Sequence, residues 1–155
     1  MRIVLALFLS AATVFSAETV YKSTEYGFQI QPPVVKEWNN SGIVASFMLP
    51  AAEGFADNVN VMIQPFEGTI KDYRAITEAE LKNMKVKIIQ VKESDPLLII
   101  EYAGEIQGRQ LHWYQRAYST GGKKIYLITA TCLASRWEQH KQLLMDSVDS
   151  FAIKK

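Results

Sequence analysis

The stretch "LHWYQRAY" places His112, Trp113, Tyr114, Arg116 and Tyr118 between Leu111 and Tyr118. Imidazole, phenol and guanidinium at this density could move a proton or hold an anion. Two further reactive side chains stand apart from it: Cys132, the only cysteine, and His140, the second of two histidines. A cysteine nucleophile needs an imidazole beside it to lower its pKa. A zinc site needs three or four ligands with nitrogen or sulfur among them. His112, Cys132 and His140 stand at no ligand spacing, so neither a metal nor a cofactor is expected. The alternating run "IYLITATCL" makes Cys132 a small buried hydrophobe instead.

Other catalytic signatures fail on their own terms. There is no Gly-x-Ser-x-Gly pentapeptide, the elbow of a serine hydrolase. "STGGKKIY" has no hydroxyl after Lys123 or Lys124, so its glycines mark a hairpin and not a phosphate cradle. "EGFADN", Glu53 to Asn58, lacks the Asp-x-Asp-x-Asp-Gly order of a calcium loop and reads as a solvated connection. "NNS" at Asn39 to Ser41 satisfies the glycosylation sequon, which matters only in a eukaryotic secretory pathway. No catalytic residue is assigned, and the chain is not expected to be an enzyme.

The first residues have the layout of a secretory signal: Arg2, an apolar run from Ile3 to Leu9, then small residues and "VFSAET". The apolar run is shorter than the roughly 20 residues of a membrane span. Cleavage near Ser16 or Ala17 is therefore expected, giving a signal over 1–17 and one domain over 18–155, exported to the periplasm or beyond the cell. A domain of that length can bury a proper core. Without Arg2, the 17 basic residues fall to the number of acidic ones, 16. That balance gives no electrostatic basis for binding nucleic acid.

The elements that position these side chains follow from periodicity. "TVYKS" and "YGFQI" read as short strands, the second stopped by Pro32 and Pro33. "GIVASFML" and "NVNVMIQP" alternate with period two, Val59, Val61 and Ile63 facing away from Asn58, Asn60, Met62 and Gln64. From Thr69 as cap, the spacing of Tyr73, Ile76, Leu81 and Met84 predicts an amphipathic helix. The strands "VKIIQV", "LLIIEYAGEI", "QLHWYQRAYS" and "KIYLITATCL" follow, with turns at Gln107-Gly108 and Gly121-Gly122. Ser135 and Glu138 form a capping-box pattern ahead of a helix with Trp137, Leu144, Val148 and Phe151 on one stripe, and His140 bordering the core.

This order, without strict alternation of strand and helix, describes an α+β domain with helices packed on an antiparallel sheet. A two-residue loop at Gly121-Gly122 would pair His112 with Thr131, Tyr114 with Thr129 and Arg116 with Leu127. Cys132 would then point away from His112. Counting around Gln107-Gly108 brings Glu101 opposite Tyr114. Glu101, His112, Tyr114, Arg116, Thr129 and Thr131 would share the more polar face. Trp113, Tyr102, Ile128, Ala130 and Cys132 would share the helix-covered one. The polar face is either a site for a small polar ligand or partner loop, with Glu101 orienting Arg116, or a partly exposed sheet face with a cross-strand ion pair.

Several local motifs, in order, resemble the PsbP family and its bacterial DcrB-like envelope relatives. They are "YGFQIQPPVVKEW" with Gly27, Phe28, Pro32 and Trp38; "NVNVMIQP"; Tyr73 early in a helix; "IIEYAG" at Ile99 to Gly104; "KIYLITAT"; and "VDSF" at Val148 to Phe151. The resemblance implies an α/β/α sandwich with a central antiparallel sheet of about six to seven strands and two main helices. It also implies a non-catalytic accessory or binding protein of the cell envelope, acting through a protein partner or envelope component; a monomer is expected separately from the resemblance. The alternative is a small-molecule carrier using the polar sheet face.

Overall fold

The computed structural model of the protein describes residues 20–32, 43–121 and 123–154. The expected signal segment, Pro33, Trp38 and the sequon at Asn39 to Ser41 lie outside the described residues. The element order is β1 (Tyr21–Ser23), β2 (Phe28–Ile30), β3 (Ala45–Met48), β4 (Asn58–Pro65), α1 (Ile70–Asn83), β5 (Lys87–Ser94), β6 (Leu97–Ile106), β7 (Arg109–Ser119), β8 (Lys124–Leu133), α2 (Trp137–Asp149) and β9 (Ala152–Ile153). Six strands form one antiparallel sheet in the order β3-β4-β8-β7-β6-β5. A second, three-stranded sheet, β1-β2-β9, was not expected as a separate layer; it carries Phe28 against Phe151, with ring centroids 5.4 Å apart.

Period-two patterning puts apolar residues on both sheet faces, and each helix covers one of them. One core joins Val59, Val61, Tyr126, Ile128, Ala130 and Cys132 to Trp137, Leu144 and Val148 of α2. The other joins Leu98, Ile100, Tyr102, Trp113 and Ala117 to Ile70, Tyr73 and Leu81 of α1. The result is the expected α/β/α sandwich.

Thr69 caps α1 as its position predicts. Its hydroxyl accepts the Asp72 N–H at 3.2 Å, and the Asp72 carboxylate accepts the Thr69 N–H at 2.9 Å, so two donors free at a helix start are satisfied. The helix face is rotated from the expected stripe. Tyr73 and Leu81 are buried with Thr77, whereas Ile76 and Met84 are exposed and border an open groove. The second box does not form: Ala134–Arg136 make a 3-10 turn, Ser135 is exposed, and α2 begins at Trp137 with no side-chain cap. Burial of Arg136 and Trp137 fixes that start instead.

Gly104 is required by close approach. A Cβ there would meet Val86 Cγ1 at 2.7 Å and its Cα at 3.0 Å, where the chain leaves α1 for β5. Gly104→Ala is therefore expected to cost about 1–3 kcal/mol of stability, as overpacked substitutions do. Urea titration of the variant against wild type measures it, and a loss below 0.5 kcal/mol (a surface-like value) would show that Val86 moves freely.

Candidate functional site

The six residues expected on one polar face are divided between the two faces. Thr120 bonds across to Lys124 and not to Lys123, so β7 and β8 are offset by one from the expected register. His112 lies opposite Cys132, Tyr114 opposite Ala130 and Arg116 opposite Ile128. Thr129 and Thr131 face Gln115 and Trp113 on the α1 side. The period of two makes this slip decisive, because one residue of shift moves a whole strand's side chains to the other face. The expected opposition of Glu101 and Tyr114 holds, since Gln107 and Gly108, at φ 52° and 76°, make a true two-residue turn.

On the α2 side the polar groups are engaged with one another and with the helix. Glu101 accepts a bond from His112 Nε2 at 2.8 Å and does not orient Arg116. The His112 ring stacks on Trp137, centroids 3.9 Å apart and 12° from parallel. Arg116 Nε lies 2.8 Å from Asp149 Oδ1, which also accepts the Tyr114 hydroxyl at 3.0 Å. Arg116 Nη1 donates to the Tyr118 hydroxyl at 3.2 Å. This face was expected to be open; α2 closes it because Trp137, Leu144 and Val148 need the apolar surface between these groups.

Sequence reasoning read "EGFADN" as solvated, and the structure corrects that. Asp57 is 1 % exposed. Its Oδ1 accepts bonds from Arg136 Nη2 at 2.6 Å and from Leu133 N at 3.2 Å, and its Oδ2 lies 2.6 Å from His140 Nδ1. Arg136 also donates to the carbonyls of Ala52 and Phe55, tying the loop before β4 to the start of α2. Burial works against the Asp57 charge, but Arg136, His140, Leu133 N–H and the Cys132 thiol together hold its carboxyl below the ordinary value.

Asp57, Cys132 and His140 present ligand atoms within 4.8 Å of one another, a grouping that the sequence spacing gave no reason to expect. Its chemistry is that of a lock. Arg136 already neutralises the carboxylate, and burial, with Asp57 beside it, pushes the Cys132 thiol up to about 12, keeping it protonated. The only advance signals were an arginine before an apolar helix and an aspartate before an apolar strand.

The face beside α1, across β3, β4, β8 and β7, is only partly covered: Met48, Asn58, Asn60, Thr129 and Thr131 are half-buried, while Ser46, Gln115 and Trp113 are buried. Two rows cross it: Ser46, Asn60, Thr129 and Gln115, then Met48, Asn58, Thr131 and Trp113. Ser46 Oγ donates to Asn60 Oδ1 at 2.7 Å, Asn60 Nδ2 to Asn58 Oδ1 at 3.0 Å, and Asn58 Nδ2 to the Ala56 carbonyl at 2.9 Å. The rows run into a groove of about 310 Å³ under α1, lined by Phe66, Ile76, Met84, Leu127, Gln115 and Glu80 among others. Here Tyr73 donates to Gln64 Oε1 at 2.8 Å and Tyr102 to Gln115 Oε1 at 3.2 Å.

No protein-family model matches the sequence, and no curated protein matches it by sequence. Solved structures do match in fold. Cyanobacterial PsbP (CyanoP) from Synechocystis sp. PCC 6803 is similar at 17% identity and TM-score 0.61, over 93% of this chain and 97% of that one. LpqN of Mycobacterium tuberculosis, described as involved in cell envelope biogenesis, is similar at 14% identity and TM-score 0.60, over 88% and 90%. A Pseudomonas aeruginosa protein of unknown function, described as a putative regulator, is similar at 16% identity and TM-score 0.57, over 88% and 97%. The protein thus has a PsbP-like fold. Among the described residues no helix is long and apolar enough to cross a membrane.

Proposed function

We propose that the protein is a non-catalytic, exported accessory protein of the cell envelope, a single domain over 18–155 that acts as a monomer through an envelope component or a protein partner. One observation carries this reading: the PsbP-like fold spans nearly the whole chain and is shared with LpqN, a protein described as involved in envelope biogenesis. The signal-like first 17 residues support the same compartment. The engaged state of Glu101, His112, Tyr114 and Arg116 favours a structural role for those side chains. A second reading, a carrier for a small molecule, is favoured by the groove at Gln115.

Expression of the full chain in a bacterial host, followed by fractionation and N-terminal sequencing, tests the first reading. The expected result is a periplasmic or secreted protein starting at Ala17 or Glu18. An intact Met1 terminus retained in the cytoplasm would overturn it.

A further inference from the structure

We propose that the half-buried sheet face beside α1, with the groove it leads into, binds a neutral glycan chain of the cell envelope, rich in hydroxyl and N-acetyl groups. The envelope setting rests on the accessory reading above; the chemistry rests on the side chains of this face.

The face is built from amides and hydroxyls whose orientations are fixed. Each carboxamide oxygen of Asn58, Asn60, Gln64 and Gln115 already accepts a bond, from Asn60, Ser46, Tyr73 and Tyr102 respectively. The Asn58, Asn60 and Gln64 amide nitrogens also donate one bond each, to the Ala56 carbonyl, Asn58 Oδ1 and Met62 Sδ, so each of these amides keeps one N–H and one oxygen lone pair for a visitor. Gln115 is 6 % exposed, lines the groove, and its amide nitrogen has no partner among the described residues. The hydroxyls of Thr129 and Thr131 likewise have none among the described residues, and each can donate and accept.

A surface that both donates and accepts calls for a ligand that does the same, and charge decides which kind. Among the described residues no lysine or arginine lines the groove, and Glu80 stands on its wall, so a phosphate or carboxylate would meet repulsion and no counter-charge there. Neutral groups that both donate and accept at the required density are the hydroxyl and acetamido groups of a sugar chain. An N-acetyl group also carries a methyl, and Phe66, Leu127 and Met84 offer it apolar wall next to the Gln115 amide. The rows lie on rigid strands, so little ordering is required on binding.

Chitohexaose is the probe, titrated into the full processed chain by calorimetry and by amide NMR. Saturable binding is expected, with shifts centred on Asn60, Gln115, Thr129 and Thr131. The nearly isosteric double variant Thr129→Val/Thr131→Val, checked for an unchanged amide spectrum elsewhere, is expected to bind at least tenfold more weakly. Absence of saturable binding, shifts confined to another surface, or an unchanged affinity in the folded double variant would each overturn the proposal. Equal affinity for cellohexaose would overturn its N-acetyl part, and protein capture at this face with no glycan effect would also refute it. A failed titration leaves the exported-accessory reading standing, because that is read from fractionation. Cytoplasmic retention would remove that reading without altering an affinity measured in solution.

Discussion

Asp57→Ala is expected to lower the free energy of unfolding by about 3–5 kcal/mol, the cost of leaving one member of a buried ion pair uncompensated. The carboxylate is 1 % exposed and satisfies three donors, from Arg136, Leu133 and His140. Its removal strands the Arg136 guanidinium, whose Nε is already enclosed without a hydrogen-bond partner among the described residues. The same guanidinium holds the loop carbonyls of Ala52 and Phe55, so its displacement would loosen the loop as well. Asp57→Asn keeps the shape and one set of hydrogen bonds, so a smaller loss is expected. Guanidinium titration of the three proteins measures the order; a change below about 1 kcal/mol for Asp57→Ala would show that the lock carries little load.

The same group gives a pH dependence with a definite sign. The native carboxyl titrates below its unfolded value, so its contribution is full above the unfolded carboxylate range, near pH 4, and is lost as pH falls through the lower native value. Wild type should therefore destabilise steeply below about pH 4, and the gap between wild type and Asp57→Ala should narrow there. A gap that stays constant down to pH 2 would contradict the assignment.

Leu144→Ala is the second large effect, expected to cost about 2–5 kcal/mol. Leu144 is fully buried between α2 and the strands that present Ile128 and Ala130. Its neighbour Leu143 is 41 % exposed, so Leu143→Ala should stay within about 0.5 kcal/mol of wild type. Comparable losses at the two positions would mean that α2 is not docked on this sheet face by the stripe described. The comparison also tests why Glu101, His112, Tyr114 and Arg116 are not an open surface, since the same helix covers them.

Much of this architecture was legible in local sequence. "NVNVMIQP" alternates cleanly because one side meets a core and the other stays polar, and it forms β4 residue for residue. Gln107-Gly108 marks its turn, and Thr69 its helix start. The register of β7 on β8 was not legible in the same way. Both strands meet a core on each face, so the more apolar side of β7, with Leu111 and Trp113, goes to α1, while that of β8, with Ile128 and Cys132, goes to α2. The expected register rests on a two-residue loop at Gly121-Gly122; Thr120 pairs with Lys124 instead, and that one added residue in the connection shifts every pair by one.

The Asp57 lock was hidden for a different reason. Asp57 and Arg136 are 79 residues apart and meet only because β4 lies beside β8, whose end leads into α2. No local pattern encodes that pairing. The amide and hydroxyl face was half visible: Thr129 and Thr131 were singled out, but on the wrong side, and Asn58 and Asn60 were read only as the wet side of a strand.

α2 closes the histidine and arginine face while the asparagine and threonine face stays only half-buried, and this division depends on the β7–β8 register. A nuclear Overhauser spectrum of the labelled protein tests it directly. Cross-strand contacts should join Gln115 to Thr129, Trp113 to Thr131 and His112 to Cys132 as opposed pairs. Opposed pairing of Tyr114 with Thr129 and of His112 with Thr131 would restore the single polar face and contradict the account.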